Sequence, residues 1–81
     1  AMDTSAPAKS SAEILRLIGC RQLSLYRCVG QGYWYFIFDD LAGTGVYDTE
    51  SIYCMRLNDM SIARWVDAGR SFALRCGGAC R

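Results

Sequence analysis

The run Tyr33-Trp34-Tyr35-Phe36-Ile37-Phe38 sets six consecutive aromatic or β-branched residues near the middle of an 81-residue chain. Such residues favour a pleated, extended backbone, whose successive side chains point to opposite faces. A strand with no polar side of its own belongs at the centre of a sheet, with one face covered by the rest of the chain. The sequence does not show what covers the other face.

Upstream of this run, Arg21 to Val29 alternates, with Leu23, Leu25 and Val29 on one side and Gln22, Ser24, Tyr26 and Cys28 on the other. That is the period of a half-buried strand, although Arg27 interrupts the apolar side. Gly30-Gln31-Gly32 supplies positive-φ positions for a hairpin into the aromatic strand. With Gln31-Gly32 as a two-residue loop, Val29 faces Trp34 and Leu25 faces Phe38. The core side then holds Leu23, Leu25, Val29, Trp34, Phe36 and Phe38, and the other side holds Ser24, Tyr26, Tyr33, Tyr35 and Ile37. A three-residue loop would pair Arg27 with Tyr35 and blur the separation. The shorter loop is preferred, because tyrosine tolerates partial exposure while Trp and Phe favour burial.

Flanking elements follow from caps and periodicity. Residues 1–10 are small and polar, carry the only proline and read as a disordered leader. Ser10 or Ser11 can cap a helix of about two turns whose stripe Ile14, Leu15, Leu17 and Ile18 ends at Gly19. Asp39 to Gly45 reads as a loop. A third strand falls within Val46 to Leu57, best around Ser51 to Leu57, with Ile52, Cys54 and Arg56 on one face and Tyr53, Met55 and Leu57 on the other. Asn58 or Asp59 then caps a second helix with Ile62, Trp65, Val66 and Gly69 on one face, and Gly69 can close it. Residues 70–75 fit either more helix or a short edge strand, and 76–81 read as a flexible tail. The expected fold is α+β in the order α-β-β-β-α: a three-stranded antiparallel meander with an N-terminal and a C-terminal helix, forming one domain over residues 11–75.

Composition narrows the function. An apolar fraction of 52% with 21% charged residues is globular, and no apolar run approaches the ~20 residues that span a bilayer, so a soluble protein is expected. A net charge of +1 argues against a simple polyelectrolyte binder. The charges are nevertheless uneven: Asp39, Asp40, Asp48 and Glu50 lie together without a base, and Arg70, Arg75 and Arg81 without an acid. Five cysteines, an odd count, follow a polar start with no apolar signal segment, which reads as reduced thiols in a cytoplasmic protein.

Catalytic chemistry finds little support. Histidine is absent, which removes Ser-His and Cys-His dyads. Gly30-Gln31-Gly32 and Gly43-Thr44-Gly45 lack the third glycine and the following helix of a phosphate cradle. A thiolate metal site would need Cys20, Cys28 and Cys54 to converge with Cys76 or Cys80, and only the last two show a knuckle-like spacing. The acidic group lacks the alternating ligands of a calcium loop and reads as solvated. No catalytic residue, metal or cofactor is assigned, and the chain is expected not to be an enzyme.

Taken together, the Tyr33 to Asp39 run, Val46-Tyr47-Asp48-Thr49 and Trp65-Val66-Asp67-Ala68-Gly69-Arg70 resemble small uncharacterised accessory proteins encoded on bacterial plasmids and other mobile elements. The resemblance implies an accessory role in a bacterial cytoplasm and names no functional residue.

The sharpest expectation concerns the outward face of the sheet. Tyr26, Tyr33, Tyr35 and Arg56 are expected to share it as a partner-binding surface, unless the second helix or the C-terminal segment covers it. Tyrosines beside arginine can anchor a protein or stack bases. The leading expectation is an interaction module that docks a protein, either a second copy of itself or a host factor. The alternative is a single-stranded nucleic-acid binder using the same face, which the near-neutral charge and the acidic loop disfavour.

Overall fold

A computed structural model describes residues 7–77. Helix α1 (Ser11–Ile18) is followed by strands β1 (Leu23–Cys28), β2 (Tyr33–Asp40) and β3 (Val46–Ile52), a 3₁₀ turn (Leu57–Asp59) and helix α2 (Ile62–Arg75). The strands form one antiparallel sheet in the order β1-β2-β3, with the aromatic strand at its centre. This is the α+β meander expected from the sequence. No helix among the described residues is long and apolar enough to cross a membrane.

Both ends of α1 follow from local chemistry. The Ser10 hydroxyl accepts from the Glu13 N–H, and Gly19 takes a left-handed φ of 73° to close the helix onto the Leu15 carbonyl. Helix α2 starts one turn later than expected, because the Ser61 hydroxyl caps the Arg64 N–H. Asn58 and Asp59 lie instead in the 3₁₀ turn before it. Gly69 does not close α2, which continues to Arg75 and so settles residues 70–75 as helix. A Cβ at Gly69 would lie 2.3 Å from Ile18 Cδ1, so the glycine is where α1 and α2 press together.

The first hairpin departs from expectation in its length. Cys28 pairs with Tyr33, leaving Val29 to Gly32 as the loop, with Gly30 and Gly32 at φ of 83° and 70°. A two-residue Gln31-Gly32 turn would need positive φ at glutamine or a glycine in first place. The wider loop puts positive φ on the two glycines only. Leu25 consequently faces Phe36 and Arg27 faces Trp34, while Val29 leaves the core and is 89% exposed. The register has slid by two residues, and a side-chain period of two leaves every paired residue of β1 and β2 on its expected face.

Under the helices lies the core of Ile14, Ile18, Leu23, Leu25, Phe36, Phe38, Ile62, Trp65 and Phe72. Trp65 meets Trp34 and Phe36 edge-on, at 6.4 and 6.2 Å between ring centroids, and its Nε1 donates to the Leu57 carbonyl at 2.7 Å. Residues 7–10 do not behave as the expected leader: Ala8 is buried, and Pro7 bridges to Ser61. Cys76, in the expected tail, is also buried. Residues 1–6 and 78–81 lie outside the described residues.

Candidate functional site

Strand β3 occupies Val46–Ile52 and ends where the expected strand began. Its register puts Ile52, Glu50 and Asp48 beside Trp34, Phe36 and Phe38 on the helix side. Ser51, Thr49 and Tyr47 stand beside Tyr35, Ile37 and Asp39 on the far side. An acidic strand is tolerated there because α2 answers it: the Arg75 guanidinium pairs with the Glu50 carboxylate and lies 5.7 Å over the Phe72 ring. Beyond Ile52 the alternation stops. The Cys54 N–H turns back onto the Ile52 carbonyl at 2.9 Å, a three-residue turn centred on Tyr53.

Among the described residues no helix lies over the far face of the sheet. Both helices pack on the Trp and Phe side, and the fold is only 17 Å thick, whereas a further packed layer would add roughly 10 Å. Tyr26, Tyr33 and Tyr35 come together on this bare face as expected. Tyr26 and Tyr35 are cross-strand partners with ring centroids 5.9 Å apart. Tyr33 meets Tyr53 at 5.6 Å, and Tyr53 is 87% exposed. With Tyr47 beyond Ile37, all five tyrosines of the chain stand on one face of the sheet.

Arg56 does not join them. The expected third strand carried Ile52, Cys54 and Arg56 on the tyrosine face, but β3 pairs with Ile52 on the helix side, so its even-numbered positions lead away from the tyrosines. Past the turn at Tyr53, Arg56 precedes the 3₁₀ turn, where its N–H donates to Asp59. It lines a cleft with Arg27 and Trp34, which belong to the helix-facing side of the sheet. Tyr47 and Tyr53 were missed in the sequence. The signal for them was the alternation Tyr47, Thr49, Ser51, Tyr53, masked by the acids interleaved with it.

The electrostatics of the face are sparse. Asp39 is the one charged residue among the paired far-face strand positions, and its Oδ1 accepts from the Leu41 N–H. A hydrogen bond with the Cys28 thiol, its cross-strand partner, is the main cause that holds the Tyr33 phenol above its ordinary value of 10.0. Tyr33 is therefore neutral at physiological pH and able to donate a hydrogen bond.

The other candidates resolve into structural roles. Asp40 accepts from both the Thr44 N–H and hydroxyl, at 3.1 and 2.8 Å, which holds its carboxyl below the usual carboxylate value. It shapes the second hairpin. Among the described residues no three His, Cys, Asp or Glu side chains are grouped to hold a metal ion. Cys28, Cys54 and Cys76 are free thiols. Cys20 is disulfide-bonded, so the expectation of reduced thiols fails there. Burial is the main cause that raises the Cys54 and Cys76 thiols above the ordinary range.

Comparison with protein-family models, with curated proteins and with solved structures finds no match for this chain.

Proposed function

We propose that the protein is a non-enzymatic interaction module whose tyrosine face docks a second copy of the same chain. The observation that carries this reading is the segregation of all five tyrosines, with Ile37 among them, onto a sheet face that no helix among the described residues covers. Tyrosine supplies large contact area with few rotatable bonds and keeps a polar tip, a combination enriched where proteins anchor one another. A strand apolar on both faces needs two covers, and the described residues supply one.

A second copy is the occupant that the charge pattern favours. A face with Asp39 as its one paired charge offers little attraction to a strongly charged partner, whereas two such faces related by a two-fold axis meet ring against ring. The nucleic-acid alternative loses support on the same ground. Its arginine lies elsewhere, and the face presents no basic side chain among its paired positions to neutralise phosphate.

Sedimentation velocity across tenfold dilutions tests the proposal. The expected result is a sedimentation coefficient that falls on dilution in the native chain and stays at the monomer value in Tyr35→Ala. A coefficient that does not depend on concentration, or one that shifts equally in both chains, would overturn it.

A further inference from the structure

On the opposite side of the molecule from the tyrosines lies an open cleft of about 790 Å³. Its walls include Trp34, Met55 and Leu57 together with Lys9, Arg27 and Arg56. Three basic residues therefore line one space, and no carboxylate is among its described lining residues. Asp59, whose Oδ2 accepts from the Arg56 N–H, is not among the described lining residues. Among the described residues the one ion pair joins Arg75 to Glu50, so Lys9, Arg27 and Arg56 have no described acid as partner. Like charges that outnumber their counter-charges repel one another, and an anion relieves that repulsion.

The cleft also offers an aromatic wall held in place. The Trp34 Nε1 donates to the Met55 carbonyl at 3.4 Å, and its ring sits edge-on to the buried Trp65. A fixed indole that shares its cleft with two arginines suits a planar ring that carries a phosphate. The ring stacks on the indole, and the planar arginine forks take phosphate oxygens in pairs. The volume falls within the range of small-ligand pockets.

We infer that this cleft binds a nucleotide, with the base against Trp34 and the phosphate held by Lys9, Arg27 and Arg56. An acidic peptide would use the cations and leave the indole without a role, so the two features together favour the nucleotide. The site is separate from the tyrosine face and stands whether or not that face self-associates. The same chemistry is presented by a free nucleotide and by one unit of a single strand.

Titration of the full chain followed by tryptophan fluorescence tests the inference, with ATP, an oligothymidylate and hexaglutamate as probes. ATP or the oligothymidylate should bind saturably within about 1 mM, the weak end of specific recognition. Arg27→Gln and Arg56→Gln, both at exposed positions, should each weaken that binding roughly tenfold, as loss of a charge-assisted hydrogen bond does, with unchanged thermal unfolding. Tyr35→Ala should leave it unchanged. Comparable binding of ATP and the oligothymidylate marks the free nucleotide as sufficient, and binding of the oligothymidylate alone marks the strand as the ligand; both support the site. Saturation by neither nucleotide probe, hexaglutamate binding as tightly as ATP, insensitivity to both arginine variants, or loss of binding in Tyr35→Ala would overturn it.

Discussion

The two faces of β2 come from one unbroken run of apolar residues, and they differ by a hydroxyl group. Trp34, Phe36 and Phe38 turn toward the helices, and Tyr33, Ile37 and Tyr35 turn away. Beneath the helices Phe36 and Phe38 are sealed, at 0% and 1% exposure, while Trp34 is half-buried at the cleft, and the two indole N–H groups find backbone carbonyls. On the other face the phenols stand against one another across strands, half-buried or exposed, with their polar ends free to meet water or a partner. Burying a hydroxyl without a partner costs free energy, while leaving a phenyl ring in water forgoes its transfer energy. That difference sorts the side chains between the two faces.

The contrast can be broken most forcefully on the sealed side. Trp65→Ala and Phe36→Ala should each cost about 3–5 kcal/mol, because each removes a fully buried ring. In a domain this small, chemical denaturation should then show a largely unfolded population. Tyr35→Ala, next to Phe36 but on the other face, should cost roughly 1 kcal/mol and keep the native circular dichroism spectrum. If the two neighbours cost the same, the faces are not distinct.

Smaller effects sharpen the picture. Gly69→Ala gains about 1 kcal/mol of helix propensity but forces Ile18 aside at a cost of about 1–3 kcal/mol, so a net loss near 1 kcal/mol is expected in urea titration. A gain would mean that the helices cross more loosely. Arg75→Gln removes an exposed ion pair and should cost no more than about 1 kcal/mol, less in high salt. Thiol chemistry distinguishes the faces at still lower cost. Iodoacetamide should label Cys28, half-buried on the open face, before Cys54 and Cys76, whose thiols are buried. Because the folded state raises those two thiols, the stability they lend is complete below the ordinary thiol range and is lost as pH climbs past it. Unfolding midpoints should therefore drop on the alkaline side, and drop less in Cys54→Ala measured against its own neutral value.

Much of this arrangement could be read from residue types alone. Ser10 and Gly19 bound α1 by their own chemistry, and the parity of the aromatic run sorts its rings whatever the loop length, provided the slip is even. What escaped the sequence depends on partners distant in the chain. The acids of β3 disguise it as a loop until Arg75 and the pairing with β2 compensate for them. Gly69 looks like a helix stop until Ile18 is laid against it. The side taken by Arg56 depends on that of Ile52, and only the pairing of Ile52 with Trp34 turns the even positions of β3 toward the helices. The cleft around Trp34 joins segments far apart in sequence, which no local spacing announces.

Residue-resolved photo-CIDNP at two protein concentrations probes the open phenol face most directly, since only rings reachable by dye become polarised. In dilute solution Tyr26, Tyr47 and Tyr53 should give strong signals and Trp65 none, and the tyrosine signals should fade as the protein is concentrated and its copies pair. Tyrosines silent in dilute solution, or signals unaltered by concentration, would contradict a bare face kept for a second copy.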